Sequence, residues 1–386
     1  MKILLIHNQY TSKSVSGENI VFNQEYKDLQ AKLGKENVLK YEVSNDNAKK
    51  LEVLLSILFS KIHYKNVKKI IEENNIDIVH IHNFYPMLTP SIFQAAKKSG
   101  AKVVHTLHNY RLWCLSGILY RNDIGICELC VSKKFSLFSI KNRCYRNSLV
   151  QSAVAQFSFW YYNITKVFDN IDYYFVLTDF QKKKVEAFGL DSKKIFLKPN
   201  GIGKIKNNNV EKIGYIFVGR LEASKGIIKL LDIWMSLDLK YVLTVIGTGE
   251  LEIFLKEKYK KNNIIFVGKC SKERTLESIS KSKYLVQPSL LYETFGLTIL
   301  EAMSCGTPVI GFNIGTRKDF IIDKVNGFLA DEINLKEVLI KSLVTKDYEM
   351  LSASALKTAK KFELDYIINK QVDIYHSILE SNKNEK

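Results

Sequence analysis

No stretch of this sequence approaches the eighteen or so consecutive apolar residues that a membrane-spanning helix needs. Its start, MKILLIHNQY, offers one Lys and then only four apolar residues before His7, so the apolar core of a signal peptide is also missing. Together these absences lead to the expectation of a cytoplasmic chain whose first residues form a strand. Acidic residues are in deficit: 40 Asp and Glu stand against 57 Lys and Arg, a formal charge of +17. Most of the surplus lies in the first 200 residues, which hold 29 of the basic and 17 of the acidic side chains. An excess in one half points to a polyanionic partner, either an anionic membrane surface or nucleic acid, or else to a Lys- and Asn-rich composition with no partner behind it. Nothing here resembles a nucleic-acid-binding module, so a lipid surface is preferred and no nucleic acid is expected.

What is present suffices for two cores. The chain has 386 residues, 46% of them hydrophobic, which excludes disorder and allows two domains. Short apolar runs alternate with helical patterns throughout. Met1 to Gln9, Asp77 to His80, Ala101 to Leu107 and Ile171 to Leu177 read as strands of a first domain. Tyr215 to Val218, Tyr241 to Ile246, Asn263 to Val267, Tyr284 to Gln287 and Thr307 to Gly311 read as strands of a second. Alternation of this kind predicts α/β architecture, two doubly wound parallel sheets with helices on their faces. The polar stretch after Pro199-Asn200-Gly201 divides the chain into 1–200 and 201–365, with a terminal helix in 366–386.

The chain is organised around Pro288 to Gly311, PSLLYETFGLTILEAMSCGTPVIG. A buried strand ends at Pro288-Ser289, a loop carries Glu293, and a helix begins near Gly296-Leu297 and stops at Gly306 with Pro308 beyond. The amides at that helix start form a natural anion site, and Glu301 lies about one turn further in. The run resembles the retaining glycosyltransferases of the GT-B type, family 4, whose signature is a Glu, seven residues and a second Glu, then a small-residue helix end and a Gly-x-Pro-Val strand. The resemblance extends over nearly the whole chain.

It implies a set of roles. Glu301 contacts the ribose hydroxyls, Glu293 the hydroxyls of the transferred sugar, and Gly296 and Leu297 supply backbone amides. Gly219-Arg220 and Lys225-Gly226 match the pair that holds the diphosphate. The physical demand is plain, since a departing nucleoside diphosphate gathers negative charge and two fixed cations stabilise it without a metal. Gly268 lines the base through its backbone. Gly17, before the first helix, approaches a phosphate, although Ser16 stands where the family often has a first Gly. His108, in a Thr-x-His setting, lies beside the reacting carbon and acts by hydrogen bonding while the departing phosphate takes the acceptor's proton. Ile314 to Asp319 departs from the usual Gly-Gly-x-x-Glu. In such folds the terminal helix crosses back to the first domain.

Other features stay open on the sequence alone. His80 and His82 either touch the acceptor or hydrogen-bond a neighbouring loop. The aromatic run Gln151 to Phe168 either lies in a membrane interface or packs beside the acceptor site. Cys114, Cys127, Cys130 and Cys144 follow the pattern C-x12-C-x2-C-x13-C within an insert at 108–148. Their spacing favours a structural zinc over an iron–sulfur cluster, a redox pair or unligated thiols. No cofactor is required for catalysis, and no Asp-x-Asp metal motif accompanies the site.

The resemblance thus implies retaining transfer of a hexosyl group from a nucleoside-diphosphate sugar, UDP favoured over GDP. The acceptor is a lipid-linked oligosaccharide or polysaccharide of the kind assembled into capsule, O-antigen or exopolysaccharide, handled at the inner face of the plasma membrane. GDP-mannose transfer, a GT-B phosphorylase or hydrolase, and a non-catalytic zinc-containing binding protein are the alternatives.

Overall fold

The computed structural model describes residues 1–11, 17–205, 210–237 and 241–381. The chain forms two compact units. One comprises Met1–Ile118, Glu128–Asn200 and the C-terminal segment from Asp365; the other comprises Leu119–Cys127 and Gly201–Leu364. Within the span 108–148, therefore, Leu119–Cys127 groups with the second unit.

The first unit holds a parallel sheet of β1 (Ile3–Gln9), β2 (Val38–Ser44), β3 (Ile78–Asn83), β4 (Lys102–Thr106), β7 (Tyr173–Val176) and β8 (Ile195–Leu197), in the order β2-β1-β3-β4-β7-β8. Two short strands of the segment that groups with the second unit, β5 (Tyr120–Arg121) and β6 (Gly125–Ile126), form an antiparallel hairpin. Every residue of β3 is buried, as are six of the seven in β1, which is the mark of a parallel sheet covered on both faces. The first helix, Gly17–Leu33, turns Val21, Phe22, Glu25 and Leu29 inward and leaves Ile20 exposed. The last helix, Leu364–Glu380, adds Ile368, Val372, Tyr375 and Ile378 to the same core, while Tyr366 faces solvent.

The second unit repeats the plan with β9 (Tyr215–Val218), β10 (Leu243–Ile246), β11 (Ile264–Gly268), β12 (Tyr284–Gln287), β13 (Val309–Phe312) and β14 (Gly327–Ala330), in the order β11-β10-β9-β12-β13-β14. Its core is built on Tyr215, Phe217, Leu230, Trp234, Tyr284 and Ile310. The order reverses at β9, whose neighbours are β10 on one side and β12 on the other. A crevice opens beyond strand ends at such a reversal, and open α/β sheets bind ligands there. The loops after β9 and β12 carry the residues that the sequence singles out. In the first unit β1, between β2 and β3, holds the equivalent place.

Candidate active site

Two glycines let the loops of the second unit close on one another. Gly226 has φ 69, and a Cβ there would sit 1.9 Å from the Pro288 carbonyl oxygen. Gly247 has φ 139, and its Cβ would lie 1.9 Å from the carbonyl of Gly219. Any side chain at either position would force the backbones apart. Leu290 N donates to Ser224 O at 2.9 Å, joining the loop after β12 to the loop after β9.

That approach brings Lys225 Nζ to 2.6 Å from Glu293 Oε1, which also accepts from Ser289 Oγ at 2.8 Å. Burial pushes the Glu293 carboxyl upward, but Lys225, and then Arg317 and Ser289, outweigh it and hold the group below the ordinary carboxylate range. Arg317 is fully buried and braces the loop. Its Nε donates to Phe312 O at 2.8 Å, and one terminal nitrogen donates to Ser289 O at 2.7 Å and Leu291 O at 3.2 Å. Burial lowers its pKa to about 10 against the attraction of Glu293, so it is charged at neutral pH. Ile314 to Asp319, which departs from the family pattern, thus contributes a structural arginine that the sequence reading passed over. A buried guanidinium with three carbonyl partners leaves no periodic trace in a sequence.

Glu301 lies in the helix Leu297–Ser304, which follows Gly296 at φ 106. Burial raises its carboxyl pKa, opposed by Lys272 Nζ at 3.8 Å. Arg220 is more than half exposed and pairs with Glu222 at 2.6 Å. Gly268 ends β11 with φ 81, and its carbonyl accepts from Gly247 N at 2.9 Å. The second unit therefore unites Lys225 with Glu293, while Arg220 and Glu301 each hold a partner of their own.

In the first unit the histidines meet a carboxylate and a lysine that the sequence did not single out. His108 Nε2 lies 2.9 Å from His82 Nδ1, and His82 Nε2 lies 3.3 Å from Glu25 Oε1. Lys198 Nζ donates to the other Glu25 oxygen, and Gln371 Nε2 donates to Oε1 at 2.6 Å. His80 is 2.6 Å from both Thr106 Oγ1 and Tyr375 Oη. His80 and His82 thus belong to a buried network. His105 is held apart from it, 2.8 Å from Ile81 O.

Burial would push Glu25 up, but Lys198, then His82 and His80, hold it well below the usual carboxylate range. Burial takes His82 down to about 3 and His7 to about 4, and lowers His108 too. The imidazoles are neutral at pH 7. One hydrogen is shared between His82 Nδ1 and His108 Nε2, and which ring donates it is set by the tautomer. Glu25 had one sequence signal: it is a charged residue on the inward stripe of Val21, Phe22 and Leu29.

Among the described residues, Glu25, His80 and His82 alone place three ligand atoms within 4.8 Å of one another. Lys198 occupies the same carboxylate and both His80 nitrogens are engaged, so the cluster is an ion-paired network and not a cation site. The thiols of Cys114, Cys130 and Cys144 do not gather in this way; Cys114 Sγ lies 3.2 Å from Ser116 Oγ and Cys130 Sγ 3.2 Å from Ser136 Oγ. Cys127 groups with the other unit.

Gly17 opens the first helix and is exposed; Ser14 to Ser16, expected beside it, lie outside the described residues. The aromatic helix Leu149–Ile164 is packed: Phe159 and Tyr162 are buried, and the Tyr162 hydroxyl donates to Ile57 O. Phe157 on the same helix is half exposed.

Known proteins extend this geometry. A family model described as Glycosyl transferases group 1 matches residues 202–351, and one described as Glycosyltransferase Family 4 matches residues 33–203. An uncharacterised 41.2 kDa protein in the cps region of Klebsiella pneumoniae is 26% identical over 322 residues, covering 80% of this chain and 81% of that protein. The structure of Anabaena HepE in complex with UDP aligns over 98% of this chain and 100% of that one, with TM-score 0.66 and 16% identity. The lipopolysaccharide outer core galactosyltransferase WaaB aligns over 98% and 99%, with TM-score 0.65 and 18% identity. Two parallel-sheet units, each covered by a matching domain model, define an enzyme of the GT-B glycosyltransferase class. Within that class the chain belongs to glycosyltransferase family 4.

Proposed function

We infer that this chain transfers a hexosyl group, with retention of configuration, from a UDP-sugar to a lipid-linked oligosaccharide or polysaccharide acceptor. The observation that carries the reading is the Lys225–Glu293 pair, braced by Arg317, in the loops at the β9/β12 reversal. In this reading Lys225 and Arg220 take the diphosphate, Glu301 the ribose and Glu293 the hydroxyls of the sugar. The amides of Gly296 and Leu297 face the anion, Gly268 lines the base and Gly17 approaches a phosphate. As the glycosidic bond breaks, charge grows on the β-phosphate, and fixed cations in a partly desolvated site stabilise it more than they stabilise the intact donor. His108, a neutral imidazole, hydrogen-bonds a hydroxyl of the sugar. The departing phosphate accepts the proton of the incoming hydroxyl.

UDP is favoured because the aligned HepE structure holds it. A surface-polysaccharide acceptor is favoured by the relative in the cps region. Among the described residues no helix is long and apolar enough to cross a membrane. Contact with an anionic bilayer is supported instead by Leu51, Leu54, Leu55 and Ile62, each more than half exposed, beside Lys49 and Lys61. A zinc on Cys114, Cys127, Cys130 and Cys144 is supported by their spacing alone. Elemental analysis of the purified protein decides it, one zinc per chain supporting the ion and none discarding it.

The test of the function is thermal stabilisation by UDP, GDP, ADP and CMP, in the wild type and in Glu301→Ala. A nucleotide at 100 times its dissociation constant adds about 2.7 kcal/mol to native stability. UDP should shift the wild type and lose its effect in the variant. A shift by GDP alone moves the donor to GDP-mannose, and no shift by any nucleotide removes the transferase reading. Release of sugar 1-phosphate on adding orthophosphate would favour a phosphorylase.

A further inference from the structure

The first unit contains a cavity of about 190 Å³. It lies where four parallel strands end: Asn45 follows β2, Tyr10 follows β1, Tyr85 follows β3 and Arg111 lies beyond β4. Tyr145 and Arg146, ahead of the helix Leu149–Ile164, complete its wall. Its volume is below the ~300–1,000 Å³ usual for drug-sized ligands, so it suits one sugar ring and not a chain of them.

Its chemistry is specific. Arg111 lies 5.4 Å and Arg146 5.3 Å from the ring centroid of Tyr145, so two guanidinium groups share one aromatic ring. Among the described residues no carboxylate comes within 4 Å of either guanidinium. Glu18 is the carboxylate that acts on Arg111 from further off, and burial pushes its pKa up, which weakens it as a counter-charge. Asn109 Nδ2 already donates to Glu18 at 3.0 Å. Burial keeps the hydroxyls of Tyr10 and Tyr85 protonated.

The loop that presents Arg146 is held in an unfavourable conformation. Arg143, Arg146 and Asn147 have φ 48, 52 and 52. Side chains other than Gly lose on the order of 1 kcal/mol in that region, and such strain persists where surrounding structure enforces it. Tyr145 N donates to Ser152 Oγ at 2.9 Å, which anchors the loop to the helix behind it.

We propose that this cavity is the acceptor subsite, and that it takes a sugar ring bearing an oxyanion, either a phosphate ester or a carboxylate. Arg111 and Arg146 hold the oxyanion by charge-assisted hydrogen bonds, and the rings of Tyr10, Tyr85 and Tyr145 line the sugar. Arg111 Nη1 already donates to Leu115 O at 3.2 Å, but a neutral sugar leaves both cations without a counter-charge and is rejected. The assignment as acceptor subsite rests on the glycosyltransferase reading; the selectivity for an anionic sugar does not.

The full chain is titrated by ligand-observed NMR with glucose 1-phosphate, glucuronic acid and glucose, in the wild type, Arg146→Ala and Lys225→Ala, with UDP as a parallel ligand. Glucose 1-phosphate or glucuronic acid should bind the wild type, and whichever is stronger identifies the oxyanion. Glucose should bind about tenfold or more weakly, the effect of one charge-assisted contact. Arg146→Ala should lose the anionic sugar and keep UDP, whereas Lys225→Ala should lose UDP and keep the anionic sugar. Equal binding of glucose, unaltered binding to Arg146→Ala, or no binding of either anionic sugar at millimolar concentration overturns the proposal. Failure of UDP alone overturns the donor reading and leaves the anionic-sugar site standing.

Discussion

Glu25 is a carboxylate on the inward face of a helix, in contact with one ammonium, two imidazoles and one amide. Removing one member of such a buried set leaves its partner charged and uncompensated. Glu25→Gln should therefore cost about 3–5 kcal/mol in a urea unfolding titration, because Lys198 stays buried without its counter-ion. Acid acts on the same cluster through two groups of opposite type. Glu25 has a folded pKa below its ordinary value of 4.5, so its stabilisation is complete above that value and is lost as pH falls toward the folded one. His82 goes from 6.5 to about 3 on folding, so below pH 6.5 the unfolded chain binds a proton that the native chain does not. Through this cluster stability should not change above about pH 7 and should fall between pH 6.5 and 3, each buried imidazole adding up to about 1.4 kcal/mol per pH unit. His82→Gln should flatten that slope; an unchanged slope would mean that His82 titrates normally in the folded protein.

At the scale of elements, the loops after β9 and β12 act as one body because glycine lets their backbones meet. Gly226→Ala should separate them, since its Cβ falls 1.9 Å from the Pro288 carbonyl and φ 69 is strained for Ala. We expect a loss of about 1–3 kcal/mol in unfolding free energy, together with at least a tenfold rise in the UDP dissociation constant, because Lys225 moves with the loop. A stability loss with unchanged UDP affinity would separate the packing of these loops from the proposed binding role. The helix Leu297–Ser304 was legible in the sequence, because its start at Gly296 and its stop at Gly306 are set by residues next to it. The brace from Arg317 was not, because its carbonyl partners at Ser289 and Leu291 lie 28 and 26 positions away.

At the scale of the whole molecule, the last helix completes a core that the first residues begin. Ile368, Val372, Tyr375 and Ile378 pack with Ile3, Leu5, Phe22 and Val104. Burying each such side chain contributes about 1.5–3 kcal/mol, so the four together rival the ~5–15 kcal/mol net stability of a domain. A chain ending at Leu364 should accordingly express as insoluble or molten protein, with dispersed NMR signals from the first unit lost. Recovery of a folded first unit from that truncation would refute the account.

Most of the strands, the helix boundaries in the second unit and the run holding Glu293 and Glu301 followed from the sequence, since propensity, periodicity and turn chemistry act between near neighbours, whereas the edge strands β2 and β14 did not. The place of His108 just beyond the end of β4 also followed from it. Only the tertiary structure decided which groups share a charge. Glu25, His82, Lys198 and Gln371 are spread over 346 positions and meet because the first and last helices pack on the same sheet that carries His82 and Lys198 at its strand ends. Spacing along a chain limits what can meet, whereas the sheet order determines what does.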